Sequence, residues 1–252
     1  MRTIKTRHYP IFNSVIPFKQ KDSQITVKNL TDKSADLYIY GEIVDNTDWK
    51  WDEKDVMPDD VKDALEQVEG LDTLNIYINS PGGSVFSGTA IYNMLKRNKA
   101  KKIVHIDGVA ASMASVIALV GDEIYMPSNA FMMIHKPLTW IVGNANDLRK
   151  VADDLDVIEE GLIEAYKDKL KDGADIEEVK QMLNDETWLT AEKASEYFDI
   201  NVIEAKQISA SAKHLLKEYK NVPKELIKES PKPKNSEEEK LKFQNELDLL
   251  SL

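Results

Sequence analysis

The stretch from residue 35 to residue 119 alternates two kinds of apolar pattern, and this constrains the fold more than anything else in the chain. "ADLYIYGEI" at 35–43 has the period-two alternation and the β-branched and aromatic content of a strand. "PDDVKDALEQVEG" opens on a proline and acids, carries Val61, Ala64, Leu65 and Val68 at helical spacing, and closes on Gly70. That is a complete helix signature. "LNIYINS" is a second strand ended by "PGG", "VFSGTAIYNMLKRNK" a second helix and "KKIVHIDG" a third strand. "GVAASMASVIAL", at 108–119, then leads through small residues into an apolar helix. Strands and helices in alternation predict an α/β fold with parallel strands and right-handed crossovers. Further on, "DEIYMP" and "AFMMIH" predict two short strands, and "TWIV" another extended piece. A long helix is expected from Asn146 to about Leu170, further helices in "DIEEVKQML" and "WLTAEKASEYF", and a last strand in "INVIEA".

In sheets of this kind ligands bind where strands hand over to helices. Three handovers here are rich in glycine or polar residues: "INSPGGSV", "GVAASMAS" and "MMIHKP". Each has an ordinary reading alone. The first is a turn, Ser112 in the second is a helix cap, and His135 in the third is a capping or packing histidine. Together they present a glycine pair, then a serine, then a histidine, with acids further along. A serine nucleophile needs a base within hydrogen-bond reach, an acid to orient that base, and amide donors for the developing oxyanion. Ser112 is not in a GxSxG elbow, so an α/β-hydrolase is not indicated. Ser115, one turn further into the helix, is a rival whose hydroxyl would face the helix. His105 lies inside a strand and reads as structural.

Composition removes other classes. The chain has 252 residues, enough for one sizeable domain with an appendage or for two small ones. It has no cysteine, hence neither disulfides nor thiolate metal sites. His8, His105, His135 and His214 form no HExxH pair or tight ligand cluster, so a zinc enzyme is not indicated, and a serine mechanism needs neither metal nor cofactor. No GxxxxGK[ST] loop is present, so the chain should not hydrolyse ATP itself. A net charge of −11 argues against general nucleic-acid binding. No apolar run approaches the roughly 20 residues that span a bilayer, and the basic start lacks a signal-peptide core. A cytoplasmic protein without membrane contact is expected.

"YINSPGGSVFSGTAIYNML", "GVAASMAS" and "NAFMMIHKP", in that order, resemble the Clp protease proteolytic subunits, ATPase-partnered serine peptidases. The resemblance runs from about Ala35 to Ala205. "IYGEI", "VIALVGDEIYM" and "ETWLTAEKA" look closer to the ClpP-like head-maturation proteases of tailed phages, which trim capsid and scaffold proteins. The resemblance implies a ClpP/crotonase-type α/β fold of repeated strand–helix units with a protruding handle helix, assembled into rings. It maps Ser112 onto the nucleophile, His135 onto the general base, and the amides of Gly83 and Met113 onto the oxyanion hole. "GGSV" and "TWIVG" would flank a polypeptide substrate as added strands. The family's aspartate position holds Glu186 here, with Asp185 next to it. Glu186 is preferred as the third member, and a Ser–His dyad is the remaining alternative.

Three other readings stay open beside a capsid- or scaffold-processing protease. One is a cellular-type peptidase working with an ATPase. One is a crotonase-like acyl-CoA enzyme, which shares the fold but does not need this serine and histidine. One is a non-enzymatic capsid assembly protein. The peptidase domain is placed at 1–206, with 1–34 partly an arm. From 207 to 252 the sequence is a charged tail, with "SPKPKNSEEE" at its centre, expected to be largely flexible and dispensable for peptide cleavage. Leu241, Leu247, Leu249 and Leu250 in its last stretch could line an amphipathic helix.

Overall fold

The computed structural model describes residues 27–47, 52, 54–205, 219 and 221–223. The arm before residue 27 and the four tail leucines lie outside the described residues. Among the described residues, eight strands and six helices form one mixed sheet with helices packed on it: β1 (Val27–Lys28), β2 (Ser34–Ile43), α1 (Pro58–Gln67), β3 (Thr73–Gly83), α2 (Val85–Arg97), β4 (Lys101–Ala111), α3 (Met113–Ala118), β5 (Glu123–Pro127), β6 (Phe131–Ile134), α4 (Ala145–Lys167), α5 (Ile176–Asn184), β7 (Thr187–Thr190), α6 (Ala191–Tyr197) and β8 (Asn201–Ile203). The alternation therefore does produce the α/β fold, with β2, β3, β4, β5 and β8 parallel in that order.

In the central strands buried residues alternate with half-buried ones, so one face packs on the core while the other carries Tyr38, Tyr77 and His105. Leu37, Ile39, Ile76, Ile78, Val104 and Ile106 are fully or almost fully buried. The two crossover helices contribute Val61, Ala64, Ile91 and Leu95 to the same core. Capping is local and legible. Ser84 accepts from the Ser87 amide at the start of α2, and Asn144 caps α4 in a capping box with Asp147.

The strand β4 forks. Its first half pairs with β5 through Ile103–His105, and its far half pairs with β6 through Val109–Ala111. The strand β6 in turn holds β7 antiparallel, from Phe131↔Thr190 to Ile134↔Thr187. Three motifs far apart in the chain thus end in one place.

Several elements differ from the sequence expectation. The strand β3 does not stop before "PGG" but runs through Pro81 to Gly83. "TWIV" forms no strand, and Trp140 and Val142 are almost wholly exposed. "WLTAEKASEYF" is not one helix: Thr187–Thr190 pair with β6 first, and Thr190 then caps α6 by accepting from the Lys193 amide. Pairing with a buried strand overrides helix propensity there. The long helix is present, and its first half projects, with residues 143–150 mostly exposed. Its inner end is anchored by Ile163, Ala165 and Tyr166.

Gly83 has φ +142, and a Cβ there would lie 2.0 Å from the Ile43 carbonyl oxygen. Gly70 has φ +85 but open space around it. Gly83→Ala is therefore expected to lose well over 2 kcal/mol in urea unfolding, whereas Gly70→Ala loses only about 1–2 kcal/mol of backbone strain. Equal losses would show that the close approach at Gly83 is not real.

Candidate active site

Register places the reactive groups. Ala111 pairs with Met133 at the far end of β4, and the Ser112 amide donates to the Met133 carbonyl at 2.9 Å. Ser112 therefore leaves the sheet beside the point where His135 leaves β6. Ile134 pairs with Thr187, so the residue before Thr187, Glu186, stands opposite His135.

The contacts follow. The His135 Nε2 and Ser112 Oγ atoms are 2.8 Å apart. The His135 Nδ1 and a Glu186 carboxylate oxygen are 3.8 Å apart, within ion-pair range though longer than a hydrogen bond. Asp185, the alternative acid, caps the end of α5 and accepts from Gln181 at 2.9 Å. Its carboxylate is thus committed to its own helix. Ser115 is fully buried, donating to the Ser112 carbonyl at 2.6 Å and bonded to the Tyr166 hydroxyl at 2.8 Å. It supports the turn from inside. His105 is elsewhere, stacked between Tyr77 and Tyr125 on the first half of the sheet.

Ser112 itself has φ 52 and ψ −126, a conformation that costs a non-glycine residue on the order of 1–3 kcal/mol. Strain of this kind at a sheet-to-helix junction lifts a side chain clear of it, as it does in the nucleophile elbow of α/β-hydrolases. Glu186 also has positive φ, at 50. Neighbouring glycine makes room: a Cβ on Gly82 would lie 2.7 Å from the Ser112 Cβ and 2.9 Å from the Met113 nitrogen. The Gly82 amide is occupied by Ser80 Oγ at 3.1 Å, and Ser80 Oγ donates to the Gly41 carbonyl at 2.6 Å. That leaves Gly83 as the glycine whose amide is the candidate donor. Met113 is the first residue of α3, where an amide has no acceptor within its own helix.

Burial lowers His135 from its ordinary 6.5 to about 4. The ring is neutral at neutral pH, and a carboxylate facing Nδ1 favours the tautomer with its proton there. Nε2 is then a lone pair directed at the serine. Glu186, 3.8 Å from Nδ1, stands where a counter-charge is needed when His135 takes a proton.

These groups open into a cleft of about 610 Å³ lined by Gly82, Gly83, Ser112, His135, Trp140 and Tyr219 among others. Tyr219 was not singled out by sequence reasoning. It lies in the charged tail, where composition carries no sign of a docking point. Among the described residues no three His, Asp or Glu side chains gather as metal ligands, and no helix is long and apolar enough to cross a membrane.

Residues 62–207 match the family profile described as Clp protease. The chain is also similar to the "ATP-dependent Clp protease proteolytic subunit 1" of Salinibacter ruber (strain DSM 13855 / M31), 32% identical over 136 residues. That match covers 53% of this chain and 57% of the relative, so the chain spans little more than half the length of that protein.

A fluorophosphonate probe should label Ser112 and leave Ser112→Ala unlabelled. Glu186→Gln should slow labelling on the order of 10² or more, because the imidazolium loses its counter-charge, while Asp185→Asn stays within about twofold of wild type. A larger loss in Asp185→Asn than in Glu186→Gln would reassign the acid.

Proposed function

The chain belongs to the Clp protease family, and on that premise we propose that it is a serine endopeptidase with Ser112 as nucleophile, His135 as general base and Glu186 as the orienting acid. The observation that carries this reading is the 2.8 Å contact between His135 Nε2 and the hydroxyl of the strained Ser112. Ser112 Oγ attacks the scissile carbonyl carbon as its proton passes to Nε2. The oxyanion is received by the amides of Gly83 and Met113. His135 then gives its proton to the leaving amine, and the N-terminal part of the substrate stays on Ser112 as an ester. A water, losing a proton to His135, attacks that ester and frees the serine. Glu186 holds the ring and balances its charge in both steps.

The substrate is a polypeptide in extended form. The edge at Gly82–Gly83 offers backbone groups for an added strand, which selects for an extended main chain more than for side chains. Within that class the substrates we propose are capsid or scaffold proteins, on the likeness of "IYGEI", "VIALVGDEIYM" and "ETWLTAEKA" to phage head-maturation proteases. A second reading has one specific support. The similar Salinibacter ruber protein is named as ATP-dependent, which would place an ATPase beside this chain as the supplier of unfolded substrate. An acyl-CoA enzyme or a purely structural role leaves the Ser112–His135 contact without a purpose.

A ring-shaped homo-oligomer completes the proposal. Val151, Leu155, Ile158 and Leu162 along α4 are only half-buried, and Leu148, Leu138, Trp140 and Val142 nearby are exposed. Apolar surface concentrated on one projecting helix and loop fits an interface between copies.

Co-expression with neighbouring capsid and scaffold proteins should give shortened chains with wild type and none with Ser112→Ala or His135→Ala. Each variant should lose on the order of 10⁴ or more in kcat on a peptide while keeping its circular dichroism. Near-normal cleavage by either variant would end the triad reading. Peptide cleavage with intact capsid proteins would favour the ATPase-partnered one. Light scattering should report a multiple of 28.6 kDa, and a monomer mass at micromolar concentration would reject the ring.

A further inference from the structure

One side chain from the C-terminal region stands in the catalytic cleft. The Tyr219 hydroxyl donates to the Pro81 carbonyl at 2.7 Å, across 138 positions of sequence. Its ring meets the His135 ring edge to face, with centroids 5.4 Å apart at 86°. It also meets Trp188 at 6.4 Å and 71°. Tyr219 and Val222 together pack on a small apolar cluster of Val109, Ala111 and Met133, separate from the main core. That cluster is the far half of β4 and the middle of β6, the strand ends that present Ser112 and His135. The match to the family profile ends at residue 207, so this contact comes from outside the matched region.

We propose that Tyr219 is a positioning residue for His135: the C-terminal segment lays its ring over the imidazole, keeps water from it, and ties that cover to the Pro81–Gly83 edge through its hydroxyl. The inference rests on the reading of Ser112 and His135 as the reacting pair. Aromatic cover removes water from one side of the ring without supplying a charge. The charged groups around His135 are Glu186 at Nδ1, Glu42 across the cleft, and Lys136 next in sequence, which is engaged by Glu159 of α4 at 2.9 Å. Of the groups touching the ring, Tyr219 supplies apolar cover and Glu186 supplies the charge. This cover accords with the lowering of His135 by burial. It also means that a chain lacking Tyr219 keeps the three reacting groups but not their dry setting.

The test is the titration of His135 in the full chain, followed by the nuclear magnetic resonance signal of its ring and assigned with His135→Gln. In wild type the ring should stay neutral down to about pH 5. In Tyr219→Ala its midpoint should rise toward 6, whereas Tyr219→Phe, which keeps the ring, should leave it in place. Val222→Asp, which lifts the same segment by another contact, should move it the same way as Tyr219→Ala. The kinetic counterpart is a pH-dependent loss. With a midpoint moved from about 4 to about 6, the neutral fraction at pH 5 falls about tenfold, and at pH 8 it is nearly unchanged. kcat/KM of Tyr219→Ala should follow. An unmoved midpoint in Tyr219→Ala and Val222→Asp overturns the proposal, as does a midpoint that moves equally in Tyr219→Phe, or a loss of kcat/KM equal at pH 5 and pH 8. Should Ser112→Ala still cleave peptide, the nucleophile assignment fails instead, and the titration still decides whether Tyr219 covers His135.

Discussion

The pairing of β4 with β6 past the fork is the constraint on which the rest depends. A parallel strand normally keeps one neighbour along its length. Here β4 changes partner between His105 and Val109, from β5 to β6. This lets a short strand bring "MMIH" alongside "VAAS", and lets β7 close on the outside antiparallel. A slip of one residue in any of these short pairings would turn the side chains to the other face. Ser112 would then lose His135, and His135 would lose Glu186. The anchors against such a slip are buried: Val109, Ala111, Met132, Met133 and Leu189. The geometry of the site is thus held by side chains that take no part in chemistry.

Burial and charge work against one another at His135, and the balance gives each neighbour a purpose. A neutral buried imidazole is a ready acceptor but a reluctant cation. In the mechanism we propose, its carboxylate neighbour balances that charge. Glu186 stands 3.8 Å from Nδ1 on a backbone of positive φ. On the other side, Ser115 and Tyr166 brace the turn of Ser112 from within the core. Ser112 is strained, and the side chains that brace it are buried.

Much of this was legible in the sequence, for reasons that particular residues show. Alternation of period two and period three to four marks β2 to α2 because one face of each of those elements is buried and the other is not. The glycine pair, Ser112 and His135 stood out because glycine and polar residues at strand ends are unusual among apolar runs. Glu186 and Asp185 are adjacent in the sequence, and what separates them is three-dimensional: α5 holds Asp185 at Gln181, whereas the β6–β7 register sets Glu186 opposite His135. The strand β7 was read as helix because "TWLT" is four residues long and its partner is more than fifty residues upstream. Tyr219 was invisible for the same reason in stronger form. Its surroundings are charged and its partner is at Pro81, so no local pattern marks it.

That contact across 138 positions also orders events during synthesis. A chain growing from its N-terminus has Gly82, Ser112 and His135 in hand while Glu186 is still untranslated and Tyr219 further off. The β3–β4–β6 part can pair as it emerges, but the Glu186 carboxylate arrives with β7 and the Tyr219 ring later still. Contacts of high sequence separation form late in any case, because long loops must close first. Until those later segments are made, Ser112 and His135 stand side by side without the neighbours that complete their surroundings.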